Sequence, residues 1–149
     1  TADAAASKGD EELKDLEASM RLHQPGIFEE FGARIASIKR ELHALLGGLK
    51  AEGKSIAGFG ASATVTTLLF HLDLGGFLDF LVDDNLAKQQ TLSPGYHLPV
   101  LPSSALLERR PDYVVVLAWR FADMIVGRQA SYAAAGGRFI VPLPQVQVR

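Results

Sequence analysis

The chain has 149 residues, 48% hydrophobic and 21% charged, which suits one soluble domain with its own core and is too short for two. A formal net charge of -2 without a basic stripe argues against nucleic acid as a partner. The lack of cysteine excludes disulfides, thiolate catalysis and cysteine-ligated zinc within this segment.

No apolar run approaches the roughly 20 residues that span a bilayer, so no membrane partner is expected and a cytoplasmic setting is the default. The opening Thr1-Ala2-Asp3-Ala4-Ala5-Ala6 has no basic segment leading into an apolar one, so it does not read as a signal peptide. Without an initiator methionine it reads as a piece of something longer. Residues 1–9 are small and polar and are expected to be flexible. A short amphipathic helix follows from Asp10, which is placed to cap it, with Leu13, Leu16 and Met20 on one face. Pro25-Gly26 breaks it. Residues 1–26 therefore read as a flexible start and short helix linking to a domain over 27–149.

A second helix is expected from Ile27 to Lys50. Its apolar positions Phe28, Phe31, Ile35, Ile38, Leu42, Leu45 and Leu49 alternate in steps of three and four and share one stripe. The stripe suits either the sheet that follows or a partner outside the chain. Beyond Gly53, short apolar runs alternate with helical stretches. Strands are predicted at Ser55–Phe59, Phe77–Val82, Leu98–Leu101, Tyr113–Ala118 and Phe139–Val141, and helices at Ala61–Leu72, Ser103–Arg109 and Phe121–Ala135. The segment from Asp83 to Gly95 reads as a long loop. Tyr113–Ala118 is apolar on both faces, as the centre of a covered parallel sheet requires. Such alternation implies a Rossmann-like α/β domain: a mostly parallel five-stranded sheet of order 3-2-1-4-5, helices on both faces, and one or two helices in front.

Three constellations carry candidate chemistry. Gly58-Phe59-Gly60-Ala61-Ser62-Ala63 fits G-x-G-x-x-G/A between strand and helix, where Gly58 would permit a tight turn, Gly60 a close ligand approach and Ala63 close helix packing. The helix start offers free N–H groups to an anion. Asp83 ends the second strand, where an acid commonly meets a ribose, though it lies beyond the usual spacing of about 20 residues. The same small residues also suit any first turn of such a fold. A P-loop is excluded because Ala63-Thr64-Val65 replaces Gly-Lys-Ser/Thr. The second constellation is Asp83, Asp84, Asn85, Lys88 and His97 around the long loop, which reads either as a ligand rim or as a solvated loop with Asp caps. His23, His43 and His71 have no metal-ligand spacing, so no metal is expected. The third is Trp119-Arg120-Phe121 after the strongest strand, where an indole and a guanidinium suit a base or a phosphate, or where Trp119 only plugs the sheet edge. No nucleophile triad or acid–base pair is marked.

Five ordered motifs resemble a known family: Gly58–Ala63 with Thr67-Leu68-Leu69; Val82-Asp83-Asp84-Asn85 with Lys88-Gln89; Pro94–Val100; Pro111–Val114 through Ala118-Trp119; and Gly136–Pro144. Together, over about residues 28–146, they resemble the C-terminal domain of the sugar C-methyltransferases, which act on deoxysugars carried by a nucleoside diphosphate. The resemblance implies that zinc, S-adenosylmethionine and the catalytic base belong to upstream domains, that this segment holds no cofactor of its own, and that it binds the nucleotide-sugar in a cleft facing the central methyltransferase domain. Gly58, Gly60, Ala61, Ser62, Asp83, Asn85, Lys88, His97, Trp119 and Arg120 are the candidate substrate contacts. The pattern departs at Thr64-Val65-Thr66, where the family generally continues Lys-Gly-Asn. Leu86 replaces a common proline, Gln90 a common glycine and Arg120 a common asparagine. Arg120 is a candidate to supply the charge absent at Thr64. A dinucleotide module of the NAD(P) type and a ligand-free packing or dimerisation domain are the alternatives.

Overall fold

The computed structural model describes residues 8–22 and 24–149. Residues 1–7 of the polar start, and His23, lie outside the described residues. The chain divides into two compact units, the first ending at Ser37 and the second spanning Ile38–Arg149.

In the first unit, helix α1 runs Lys8–Ser19, so Asp10 sits in its first turn rather than capping it. Leu13, Leu16 and Met20 are exposed. Helix α2, Pro25–Ala51, starts on the proline itself. Proline suits a first helical position, since its absent N–H is one that no helix turn would satisfy. Phe28 and Phe31 on its first half are 67% and 61% exposed, so the predicted stripe is not one continuous packing surface.

The second unit takes up the other half of α2, where Ile38, Leu42, Leu46 and Leu49 are buried and Leu45 only half-buried. A strict seven-residue repeat drifts by about 20° per heptad around a straight helix. By its third heptad the buried line has moved from Leu45 onto Leu46. Seven strands form one sheet: β1 Ile56–Phe59, β2 Phe80–Val82, β3 Thr91–Leu92, β4 Pro99–Leu101, β5 Tyr113–Val116, β6 Arg138–Val141 and β7 Gln147–Val148, in the order β3-β4-β2-β1-β5-β6-β7. The inner run β4-β2-β1-β5-β6 is parallel and is the expected 3-2-1-4-5 arrangement. The two additions are antiparallel edge strands, β3 on β4 and β7 on β6. β3 falls within the predicted long loop. Two residues are too few for an alternation pattern to reveal either.

Four more helices cover the sheet: α3 Ala63–Leu72, α4 Ala105–Arg109, α5 Ala122–Arg128 and α6 Ala130–Ala134. The single helix expected over Phe121–Ala135 is instead a 3-10 turn, Trp119–Phe121, followed by α5 and α6. The break follows Gly127, whose backbone entropy weakens a helix interior. Ala57, Phe59, Phe80, Val82, Val114, Val116, Phe139 and Val141 form one core with Ala105, Leu106, Ile125 and Tyr132 of α4, α5 and α6. Side chains alternate along a strand, so Ile56, Leu81, Val115 and Ile140 point to the opposite face. There the right-handed β1–α3–β2 crossover places α3. A ring nitrogen of His43 on α2 meets Leu72 O at 2.6 Å, and Lys50 pairs with Asp79 at 2.7 Å, joining α2 to that side. Among the described residues, no helix is long and apolar enough to cross a membrane.

Candidate functional site

The carboxyl ends of β1 and β5 meet where the chain order turns from one side of the sheet to the other, the usual ligand position in an open α/β fold. Leu117 and Ala118 both donate their N–H to Phe59 O, at 3.0 and 3.1 Å, which holds the end of β5 against the glycine turn. Gly60, with φ +112, donates to Val82 O at 2.7 Å. A Cβ there would stand 3.2 Å from the Ala118 Cβ, so the residue at 60 must be small as well as left-handed. Gly58 has a different part from the one expected. It lies inside β1, not in a turn, and a Cβ on it would come within 2.6 Å of Leu81 and 2.8 Å of Leu117. Ala63 is exposed and lines a groove rather than packing on the strand.

Asp83 is 13% exposed, and the protein already occupies it. Its carboxylate accepts from Ala61 N at 2.7 Å, Asn85 N at 2.9 Å and Lys88 Nζ at 3.3 Å. One side chain thus ties the glycine turn to the end of β2 and engages Lys88. Asn85 Oδ1 caps Ala87 N at 3.0 Å. Asp83 therefore clamps Ala61, Asn85 and Lys88 together behind the turn, Ala61 and Lys88 also lining a recess of about 60 Å3, while Gly58 and Gly60 pack against Leu81, Leu117 and Ala118. His97 is placed elsewhere. It lies in the β3–β4 turn, where its N–H donates to Ser93 O at 3.0 Å, at the amino end of β4 and away from the carboxyl ends. The neighbouring Tyr96 stacks on Phe70 near the far end of α3, and its hydroxyl donates to Asp73 at 2.9 Å. Burial raises the Tyr96 phenol above its ordinary range, and Asp73 adds to the shift.

What remains open at the ligand end is a groove. Ser62, Thr64 and Val65 on the α3 side and Leu117–Phe121 on the β5 side line a cleft of about 290 Å3. A furrow of about 460 Å3, bounded by Ala63, Thr64, Thr67, Leu68, His71 and Trp119, shares Thr64, Leu117 and Trp119 with it. On the β6 side of Trp119, a further cleft of about 220 Å3 lies among Arg120, Asp123, Leu143, Pro144 and Arg149. Trp119 is half-buried against the core and borders all three spaces. The Arg120 guanidinium stands 5.4 Å from the indole centroid, within cation–π range. Ser62 caps α3, its hydroxyl accepting from Val65 N at 3.3 Å. Of the candidate contacts, Ser62, Trp119 and Arg120 meet in the groove. Thr64, Thr67, Leu68, His71, Leu117 and Phe121 line the groove without having been among the candidate contacts. The α3 positions were legible in its period, since 64, 67, 68 and 71 lie off the buried line of Val65, Leu69 and Leu72.

A polar recess of about 110 Å3 among Arg110, Asp112, Tyr132 and Gly137 lies at the opposite, amino end of the strands. Its groups serve the fold. The Tyr132 hydroxyl donates to Pro111 O at 2.7 Å, and burial pushes that phenol far above its ordinary range. Asp112 Oδ2 accepts from Ser55 N and Ser55 Oγ, both at 2.8 Å. These two bonds, the backbone one first, hold its carboxyl below its ordinary value, and Lys54 adds to the effect. Among the described residues, no group of three or more His, Cys, Asp or Glu side chains could hold a metal ion.

A family profile described as the C-methyltransferase C-terminal domain matches residues 2–144. The chain is also 32% identical over 153 aligned positions to C-methyltransferase NovU of Streptomyces niveus, an alignment covering 97% of this chain and 36% of that protein. The chain spans about a third of that relative's length.

Proposed function

The chain belongs to the C-methyltransferase C-terminal domain family, and from that premise we propose that it is the domain that binds a nucleotide-sugar for methylation. The methyl donor, zinc and the catalytic base belong to parts of the protein outside this chain. The observation that carries this reading is the half-buried Trp119 at the switch point, with three hollows bordering it and Arg120 over its ring. An indole in that position offers a flat face to a nucleobase, and the grooves on either side leave room for a sugar and its linkage.

Neither S-adenosylmethionine nor zinc is assigned to this chain in that reading. The glycine turn has its Ala61 N–H and the Asp83 carboxylate bonded to each other. The described residues offer no ligand set for a metal. The same bond disfavours the dinucleotide alternative, because Asp83 already has three donors where a ribose would need an acceptor. For the first unit, the exposed Leu13, Leu16, Met20, Phe28 and Phe31 favour cover by the rest of the protein. A helix as short as α1 is marginal in water without tertiary packing.

The test is calorimetric titration with a deoxysugar nucleotide, a nucleoside diphosphate, NAD and S-adenosylmethionine, run on this chain and on the complete protein. The nucleotide-sugar binds, and Trp119→Ala weakens it by about 1–3 kcal/mol, the usual worth of one base–aromatic stack. Binding of NAD or S-adenosylmethionine to this chain alone, or indifference of the sugar nucleotide to Trp119→Ala, would overturn the reading.

A further inference from the structure

The end of α3 that would ordinarily take a phosphate offers it backbone N–H groups but no cation. Val65 N bonds to the Ser62 hydroxyl and Ala61 N to Asp83, which leaves the N–H groups of Ala63 and Thr64 at the start of the helix. The first turn, Ala63-Thr64-Val65-Thr66, carries no cation. The cations near the strand ends divide into two kinds. Lys88 pairs with Asp83 at 3.3 Å, Arg128 with Asp84 at 4.0 Å and Arg149 with Asp123 at 2.6 Å. Arg120 has no carboxylate partner among the described residues. It is exposed, bonded to nothing but the face of Trp119, and it borders both the β1–β5 cleft and the cleft toward β6.

We propose that Arg120, at the β6 side of Trp119, is the seat of the ligand's diphosphate. The inference rests on the nucleotide-sugar reading and specifies which part of the site takes which part of the ligand. Guanidinium and phosphate are matched for paired hydrogen bonds, and a cation without a carboxylate neighbour gives up no ion pair to make them. Asp123, the acid nearest the β6-side cleft, is held by Arg149, which limits its repulsion of an anion. The furrow along Thr64, Thr67 and Leu68 then takes the less polar part of the ligand, for which its methyl groups are suited.

The probes are thymidine and thymidine diphosphate, titrated against the complete protein as wild type, Arg120→Ala, Arg120→Lys, Thr64→Val and Trp119→Ala. Arg120 is exposed and outside the core, so its replacement leaves the fold intact, which circular dichroism checks. The expected result is that the diphosphate's advantage over the nucleoside falls by about 10–100-fold in Arg120→Ala, the range for hydrogen bonds to a charged group. Arg120→Lys recovers part of it, Thr64→Val keeps it, and the dependence of diphosphate affinity on salt flattens with Arg120→Ala. An unchanged ratio in Arg120→Ala, with Trp119→Ala still weakening both probes, would overturn the seat while leaving the nucleotide-binding reading standing. No binding of either probe, or indifference of both to Trp119→Ala, would sink the two together.

Discussion

Replacing Asp83 separates a structural clamp from a ligand contact. In the clamp its carboxylate accepts two backbone N–H groups, from Ala61 at 2.7 Å and Asn85 at 2.9 Å, and faces Lys88 at 3.3 Å. Hydrogen bonds to a charged group contribute about 1.5–3 kcal/mol each when shielded, and nearer 1 where water competes. Ala61 and Asp83 are half-buried, whereas Asn85 is exposed and Lys88 is 32% exposed. The Ala61 bond is therefore taken at about 2 kcal/mol, the Asn85 bond at about 1 and the ion pair at under about 1. Asp83→Ala is expected to cost about 3–4 kcal/mol, and Lys88→Ala under about 1. For a domain of this size the Asp83→Ala loss lowers the melting temperature by about 6–16 °C. The assay is urea unfolding followed by circular dichroism, paired with nucleotide titration at a temperature where the variant is fully folded. A clamp predicts a large loss of stability with nucleotide affinity changed less than about threefold. Unchanged stability with affinity reduced tenfold or more would refute the clamp and restore Asp83 to the ligand.

Three further predictions use other parts of the molecule. Gly137→Ala puts a Cβ 2.1 Å from the ring of the buried Tyr132 and is expected to cost about 1–3 kcal/mol or more in urea unfolding, while Gly76→Ala, with nothing within 4 Å, stays within about 0.5. Leu42→Ala costs about 2–5 kcal/mol because the residue is fully buried, whereas the double change Phe28→Ser with Phe31→Ser leaves stability of this chain within about 1 kcal/mol and lowers its binding of a hydrophobic dye. The carboxyl of Asp112 is lowered by its Ser55 bonds, so its contribution is present above the unfolded value near 3.8 and is lost as pH falls through the lower folded value. The urea midpoint of the wild type should therefore fall more steeply below pH 4 than that of Asp112→Asn, and parallel profiles would remove Asp112 from the acid response.

The parallel core was legible because each of its strands is a compact apolar run, and Tyr113–Val116 in particular is apolar on both faces. The edges were not, because Thr91–Leu92 and Gln147–Val148 are set by backbone pairing with a neighbour already in place. At the site, the strand–turn–helix location and Trp119-Arg120 could be read directly, since local pattern fixes them. The destination of Asp83 could not. Its bond to Ala61 joins residues 22 apart, and nothing in either segment says whether the carboxylate will face a ligand or the turn. His97 went astray for a different reason. Its place was in fact legible, because it directly precedes the strand predicted from Leu98, and in a parallel sheet that position is at the amino end, away from the ligand side. On α2, the period showed a stripe correctly, but period alone cannot tell which part of a stripe the same chain covers.

The two edge strands also constrain how this protein assembles with anything else. A parallel sheet left open at β4 or β6 would offer a row of unpaired N–H and C=O groups to another molecule's strand. Here both rows are filled by two-residue antiparallel pieces, which leave too little free ladder to nucleate a continuing sheet. Association through shared backbone ladders is disfavoured on both sides, which leaves side-chain surfaces as the better ground for a neighbour. Substitutions on the helix surfaces can then alter such a docking face without touching the sheet, so that the frame carrying the site stays as it is.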